Sequence, residues 1–445
     1  MRDVVVLLGV ICLLPAALAR PWIGFLGFTL IGLWNPHKFT WYLKDMRIAL
    51  LVAAATLIGL VITRERKGIA WSRELVLMLV FAIYFTVTTQ FAWAPEAAAA
   101  QLGQNIRVYF MIFVMGMLIY GEKKIRAMLL VIMLGIGLFG VKGGIFSILT
   151  GGQYHVVGPE TTFLEANTSL GLAFNMILPL LLVTAQEQAV RWRALGFYGS
   201  AFLTFLATIF TYSRGAWIGL AATVPFLLLR IKHGVLIGVL MIPVGLVGIA
   251  FIPDKVFNRA ETIGSYEEDN SAMTRIQAWS VAYNVAKENP LVGGGFDYEN
   301  YPDPQRWLSH ADRKYDAVDQ TPRAAHSIYF QVLGQHGFVG FGIFMTLLGL
   351  TMFSFSGIAR DVRNIPDLGW IGRYAKAMQV GMIGYMVSGA FLNLAYFDLL
   401  YLYIGLVAIF RREIREYHVA HPAIAGASNL SMVGSLLKKP VSQGG

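Results

Sequence analysis

The feature that most constrains this chain is a series of apolar runs that recurs along nearly the whole sequence. A membrane-spanning helix buries about 20 mostly apolar residues, because backbone polar groups left unpaired in hydrocarbon are too costly. The pattern predicts an all-α polytopic membrane protein with about 12 transmembrane helices. The runs lie at residues 3–19, 22–35, 47–63, 75–93, 106–120, 127–148, 168–185, 195–211, 215–229, 234–252, 326–355, 375–395 and 398–410.

The composition supports a membrane environment. Of the 445 residues, 56% are hydrophobic and 14% are charged, whereas a soluble domain carries roughly a quarter charged residues. The net charge of +10 comes from Lys and Arg in short loops between apolar runs, so it indicates topology and predicts no nucleic acid partner. Cys12 is the only cysteine, which excludes an intramolecular disulfide.

The distribution of basic residues predicts which loops face the cytoplasm. Loops rich in Lys and Arg stay in the cytoplasm, and here they alternate with loops that lack this enrichment. By this rule the C-terminus is cytoplasmic, and five segments are extracytoplasmic: 94–105, 149–167, 212–214, 253–325 and the turn near 396. The cytoplasmic clusters are Arg64, Arg66, Lys67 and Arg73; Lys123, Lys124 and Arg126; Arg191 and Arg193; Arg230 and Lys232; and Arg360, Arg363 and Arg373.

The expected organisation is a helical bundle interrupted by one long polar loop. Residues 1–252 and 326–410 form the two parts of the bundle, 253–325 form the extracytoplasmic loop, and 411–445 form a cytoplasmic tail. Within the loop, a helical pattern from Ala272 to Glu288 is stopped by Pro290 and the glycines that follow it. The loop is expected to be a small lid-like structure.

The first 35 residues leave two topologies open. Arg20 and Pro21 divide them into two runs that are each short for a full crossing. The first run resembles a signal peptide but lacks a convincing cleavage site, so we expect it to be retained. A single net crossing, which we prefer, has a broken helix or re-entrant hairpin at the beginning and places both termini in the cytoplasm, whereas two complete crossings place the N-terminus outside.

His326 is the strongest candidate for a catalytic residue. It stands with Ser327 where the long polar loop meets the next apolar run. A histidine at the water interface has a near-neutral pKa that suits a general base. The alternative is an interfacial histidine that caps a helix or binds a lipid headgroup. Further along the same run, Gly337 and Gly340 are spaced as in helices that pack closely.

Two arginines are candidates for binding an anion. Arg214 lies in a short turn between two apolar runs, where an arginine is costly and usually functional; a snorkelling arginine is the alternative. Arg275 begins the helical part of the long loop, and its alternative is a solvated residue that pairs with Glu268 or Asp269. Guanidinium groups suit phosphate because they bind its oxygens bidentately and keep their charge.

Three motifs resemble the O-antigen ligase and polymerase superfamily. They are His326-Ser327 followed after nine residues by Gly337 and Gly340, the string Ser213-Arg214-Gly215-Ala216, and Arg275 with Trp279 ahead of a Pro- and Gly-rich turn. The resemblance implies a GT-C-like fold and a metal-independent, inverting glycosyltransferase. It implies that His326 is the base and that Arg214 and Arg275 bind pyrophosphate.

The resemblance also implies the substrates and the location. The donor is an undecaprenyl pyrophosphate-linked glycan, and the acceptor is a hydroxyl of lipid A-core, of a protein or of a growing polymer. The compact loops are similar to those of ligases encoded near exosortases. The implied location is the inner membrane, with the active site facing the periplasm and no cofactor. Sequence alone leaves the choice between ligase, polymerase and protein O-oligosaccharyltransferase open.

Other polar residues give weaker signals. Glu160, Glu165 and Asn167 suit either an acceptor site or the capping of the next helix. The acidic triplet Glu267 to Asp269 is typical of a solvated loop, so we expect no metal site. A secondary transporter is the rival from another class. Against it, the ionisable residues cluster at one interface, no symmetry between two halves is visible, and a long external loop is the main polar feature.

Overall fold

The computed structural model describes residues 2–229, 270–312 and 321–422. All regular elements in these ranges are helical. The predicted run at 234–252, the acidic triplet and the residues after Pro422 lie outside the described residues. The α-helices are α1 (Arg2–Ala19), α2 (Pro21–Trp34), α3 (Ile48–Ile62), α4 (Arg73–Thr89), α5 (Pro95–Leu118), α6 (Gly121–Leu149), α7 (Asn167–Glu187), α8 (Arg191–Ile209), α9 (Arg214–Leu228), α10 (Asn270–Glu288), α11 (Pro304–Leu308), α12 (Ile328–Asp361), α13 (Gly369–Gly389) and α14 (Asp398–Ala420).

The helices have the character of a membrane protein, as the sequence predicts. Within the described ranges, α1, α6, α7 and α12 are long and apolar enough to cross a membrane. Helices α2, α3 and α9 are shorter and also apolar. The total number of crossings stays a prediction.

The centre of the bundle is formed by α7, α13 and α14, whose residues are mostly buried. Small residues allow the helices to approach closely. A Cβ atom on Gly144 of α6 would lie 2.3 Å from the Leu203 carbonyl oxygen of α8. The buried Asn175 of α7 donates to the Ala216 carbonyl of α9 at 2.9 Å and to Ser388 Oγ of α13 at 3.1 Å. These contacts fix α9 relative to α13.

One end of the bundle, which we call the basic end, collects the loops rich in Lys and Arg. Lys67 pairs with Glu416, and Lys124 pairs with Glu65 at 2.9 Å. Arg412 is buried and donates to the Ile119 carbonyl at 2.6 Å, just beyond the last turn of α5. Such terminal carbonyls lack helical partners, so Arg412 satisfies one of them. Helix α14 continues to Ala420, past the end of the predicted apolar run at residue 410, and this hydrogen bond helps to hold the added turns.

The opposite end, which we call the loop end, holds the described parts of all five segments predicted to be extracytoplasmic. The backbone N–H of Trp93 donates to the Gly294 carbonyl at 2.9 Å, and that of Val156 donates to the Phe210 carbonyl at 3.0 Å. The ring of Phe397 lies 5.3 Å from that of Phe163. The segments therefore meet one another at a single end.

The first two helices form an antiparallel hairpin, which differs from the single net crossing that we preferred. Lys124 and Lys142, about 27 Å apart on α6, lie over Trp22 and Phe39. Helix α2 therefore runs from the basic end to the loop end. Asp3 accepts from the backbone N–H of residue 42 at 2.8 Å, so α1 begins at the loop end and the hairpin passes along the bundle twice. Arg2 at the start of α1 and Ala420 at the end of α14 then lie at opposite ends of the bundle.

Cysteine labelling in intact cells tests this topology. In a Cys12→Ser background, we expect Arg2→Cys and Leu291→Cys to react with an impermeant thiol reagent added outside. We expect Arg20→Cys to react only after the membrane is permeabilised, because it joins α1 to α2 at the basic end. Labelling of Arg2→Cys only after permeabilisation would contradict the hairpin, and the same result for Leu291→Cys would overturn the assignment of the loop end.

Candidate functional site

The loop helix α10 packs against the first turn of α12. Trp279 Nε1 donates to the Ala325 carbonyl at 2.7 Å. The Trp279 indole also stacks on the ring of Phe330, with centroids 5.1 Å apart and planes 7° apart. One side chain thus contacts the chain on both sides of residue 326, which holds α10 beside that residue.

His326 lies immediately before the N-cap of α12, with a left-handed backbone. Its φ is 46°, a conformation uncommon for a residue other than glycine. Strain of this kind is concentrated at functional sites. The side chain is exposed, whereas Ser327 and Ile328 are buried. The backbone therefore presents the imidazole outward at the edge of the bundle.

Two arginines lie near the His326 imidazole. Partial desolvation by the surrounding protein, followed by the charges of Arg275 and Arg323, lowers the pKa of His326 below its ordinary value. The lowered pKa keeps the ring neutral at neutral pH, the form that accepts a proton. Arg275 lies one helical turn before Trp279, so the packing of α10 accounts for its position.

Sequence reasoning missed Arg323. Its position three residues before His326, next to Pro322 in the irregular segment that leads to α12, is the signal that was available. Proline fixes its own φ, so the backbone is restricted at the residue just before Arg323. Arg323 is exposed. Its guanidinium therefore adds positive charge at the surface near His326.

A turn after α10, residues 289–295, which we call the glycine hook, ties the loop into α12. The Gly294 and Gly295 N–H groups donate to the Gly334 and Gln335 carbonyls at 2.8 and 2.9 Å, and Phe338 N–H donates to the Pro290 carbonyl at 2.9 Å. In an unbroken helix Phe338 N–H would donate to Gly334 instead. The hook therefore replaces helical hydrogen bonds of α12.

Gly337 makes this exchange feasible, and its role differs from the close helix packing that its spacing suggests. Its φ is 65° and its ψ −170°, a region essentially restricted to glycine. A Cβ atom there would lie 2.4 Å from the Pro290 carbonyl oxygen. Gly340 is helical, and its Cβ atom would lie 3.2 Å from Tyr84 Cε1. Of the two glycines, it is Gly340 that faces a neighbouring helix, as the spacing predicts.

Arg214 is the first residue of α9 and is half-buried. Ser213 caps the helix by accepting from Ala216 N–H at 3.2 Å. The start of α9 packs on the end of α13, since a Cβ atom on Gly215 would lie 3.2 Å from Phe391 Cβ. One on Gly389 would lie 2.7 Å from Ile328 Cδ1. Arg214 is thus connected to the first turn of α12 through residues 388–391.

The weaker candidates have local structural roles. Asn167 Nδ2 donates to the Thr211 carbonyl at 2.6 Å, in the turn that leads to Arg214. Glu165 accepts from the backbone N–H of Thr161 at 2.7 Å. Neither side chain is the N-cap of α7, which is Ala166. In the described ranges, no three His, Cys, Asp or Glu side chains are grouped as a metal-binding set.

Two parts of the chain match models of protein families. Residues 199–345 match the model of the O-antigen ligase family, and this range contains Arg214, Arg275, His326 and Gly337. This match, over about a third of the 445 residues, supports the O-antigen ligase and polymerase superfamily. Its residues 1–188 match a family of unknown function (DUF5935), and no curated protein matches the chain. The matched family implies, in general terms, a glycosyltransferase-like ligase or polymerase activity on a lipid-linked glycan in a membrane.

Gly337→Ala tests the glycine hook. We expect it to destabilise the protein by roughly 1–3 kcal/mol, because alanine is strained in this backbone region and its Cβ meets the Pro290 carbonyl. The matched control is Gly342→Ala, five residues further along α12, where a Cβ meets nothing within 4 Å. Thermal unfolding in detergent is the measurement. Equal transition temperatures for the two variants would contradict the role of Gly337.

Proposed function

We propose that this protein is an inverting glycosyltransferase of the O-antigen ligase type. The observation that carries the proposal is an exposed His326 that Trp279 holds beside α10 and whose pKa is lowered by partial desolvation and by the charges of Arg275 and Arg323. A neutral base beside fixed cations matches a reaction in which a hydroxyl must lose a proton while a polyanion departs. His326 can accept the proton, and the arginines can stabilise the departing polyanion.

His326 acts as the general base. Its neutral imidazole accepts the proton of the acceptor hydroxyl as the oxygen attacks the anomeric carbon of the donor sugar. The new C–O bond forms on the face opposite the bond to the pyrophosphate, which breaks with its electron pair on the leaving oxygen. The configuration at the anomeric carbon inverts.

Arg214 and Arg275 bind the pyrophosphate and stabilise the charge that develops as it leaves. Their guanidinium groups stay charged at every relevant pH and match phosphate oxygens in a planar fork. On this proposal the arginines take the part that a divalent cation has in other transferases, so transfer should survive exhaustive chelation.

The proposed donor is an undecaprenyl pyrophosphate-linked glycan, and the proposed acceptor is a sugar hydroxyl of lipid A-core. The alternatives within the superfamily are a polymerase and a protein O-oligosaccharyltransferase. The site lies at the loop end, opposite the basic end. The positive-inside rule then supports a site that faces the periplasm from the inner membrane, with the donor's lipid in the bilayer.

Single variants test the division of labour between base and cations. His326→Ala should lower turnover by a factor of roughly 10² to 10⁴ and leave binding of the lipid pyrophosphate nearly unchanged. Arg214→Ala and Arg275→Ala should weaken both binding and turnover, and Lys at either position should restore only part of them. Glycan transfer and donor binding are measured on folded, purified protein.

The control for Arg275→Ala is Lys287→Ala, which removes one positive charge from the exposed last turn of the same helix. We expect this control to bind and transfer like the parent. Normal transfer by His326→Ala would refute the role of the base. Parent-like binding by both arginine variants would refute the pyrophosphate site.

The pH dependence of kcat/KM tests the link between Arg323 and His326. The base works only when neutral, so activity falls as the pH drops through the pKa of His326. Because the charge of Arg323 lowers that pKa, Arg323→Gln should move the acidic limb to higher pH. Arg323→Lys keeps the charge and should leave the limb in place. If the acidic limb of the kcat/KM profile stayed in place in Arg323→Gln, Arg323 would have no influence on the pKa of the base.

A further inference from the structure

The connection between α6 and α7, residues 150–166, forms a compact segment at the loop end that we call the strap. It is bonded to the turn that precedes Arg214. Val156 N–H donates to the Phe210 carbonyl at 3.0 Å, and the Tyr212 hydroxyl donates to the Gly152 carbonyl. The rings of His155 and Tyr212 lie 4.9 Å apart.

The Tyr212 backbone shows how closely the strap and this turn are joined. Tyr212 is buried, and its φ is 53°, an outlier for a bulky residue. Such strain persists only where the surroundings over-determine the conformation, and here the strap supplies the surroundings. The position of the strap is therefore coupled to the turn that presents Arg214.

The strap is also linked indirectly to the helix that follows His326. Its Phe163 packs on Phe397, at the end of the segment between α13 and α14. In the same segment, Ala395 N–H donates at 3.0 Å to Oε1 of Gln331, which lies in the first turns of α12. The strap thus contacts the turn that carries Arg214 directly and is linked to α12, the helix that follows His326, through the segment between α13 and α14.

The side chains on the outer surface of the strap suit a neutral, hydroxylated ligand. Gln153, Tyr154 and His155 are consecutive and exposed, and Tyr154 is 59% exposed. Residues 150–166 contain no Lys or Arg, but they contain Glu160 and Glu165. An anionic pyrophosphate would be repelled by these carboxylates, whereas an amide, an imidazole and an aromatic ring suit a sugar.

We propose that the strap binds the acceptor, and that this acceptor is a carbohydrate held by Gln153, Tyr154 and His155. This inference rests on the proposed function. The Tyr154 ring packs on the C–H face of the acceptor sugar, and the Gln153 and His155 side chains hydrogen-bond its hydroxyls. The donor and acceptor then approach from different sides, the donor along the arginines and the acceptor along the strap.

The test separates the two substrates kinetically. Tyr154→Ala should raise the KM for a lipid A-core acceptor by roughly three- to tenfold and leave the affinity for the lipid pyrophosphate donor unchanged. Tyr154→Phe keeps the ring and should restore the parent's KM. Tyr42→Ala, which removes an 87% exposed tyrosine at the same end, is the matched control. His155→Ala should likewise raise only the acceptor KM.

The outcomes distinguish failure of the acceptor inference from failure of the proposed function. An unchanged acceptor KM in both Tyr154→Ala and His155→Ala overturns the inference, as does an equal rise in Tyr42→Ala. A parent that transfers only to peptide hydroxyls overturns the carbohydrate acceptor. These results leave the proposed function standing if His326→Ala is inactive. Normal transfer by His326→Ala instead removes the proposed function itself.

Discussion

At Gly337 the backbone of α12 leaves the helical region, and hydrogen bonds that would close the helix are made with the glycine hook. The hook supplies N–H groups to the Gly334 and Gln335 carbonyls, and Pro290 accepts from Phe338. Buried backbone groups must be paired, so the loop and the helix complete each other. The positions of Trp279, Arg275 and the first turn of α12 depend on this exchange.

The helices were predictable because hydrophobicity determines them locally. The predicted run at 168–185 corresponds to α7 at residues 167–187, and the helical pattern from Ala272 to Glu288 corresponds to α10 at residues 270–288. Asn289 and Pro290 ended that pattern for a physical reason, since proline cannot continue a helix. His326 and Arg214 were singled out from motifs at helix boundaries, where polar side chains meet apolar runs, and Arg275 from a motif within the helical part of the loop. Their roles stay predictions.

The features that were missed depend on partners far away in sequence. The spacing of Gly337 and Gly340 looks the same whether a helix continues or breaks, and only the contact with Pro290 distinguishes the two. The N-terminal hairpin follows from contacts of α2 along α6. The influence of Arg323 on His326 and the contact of the strap with Tyr212 are likewise tertiary effects that no local pattern encodes.

The glycine hook limits how the protein can admit its lipid substrate. Lifting α10 away from α12 would leave several backbone groups unpaired, and each buried unpaired group costs about 1–3 kcal/mol. The hydrogen bonds of the hook therefore favour movement of α10 together with α12. A substrate that approaches this end would meet Arg275 and the first turn of α12 as parts of one connected unit, rather than as two elements that must first be brought together.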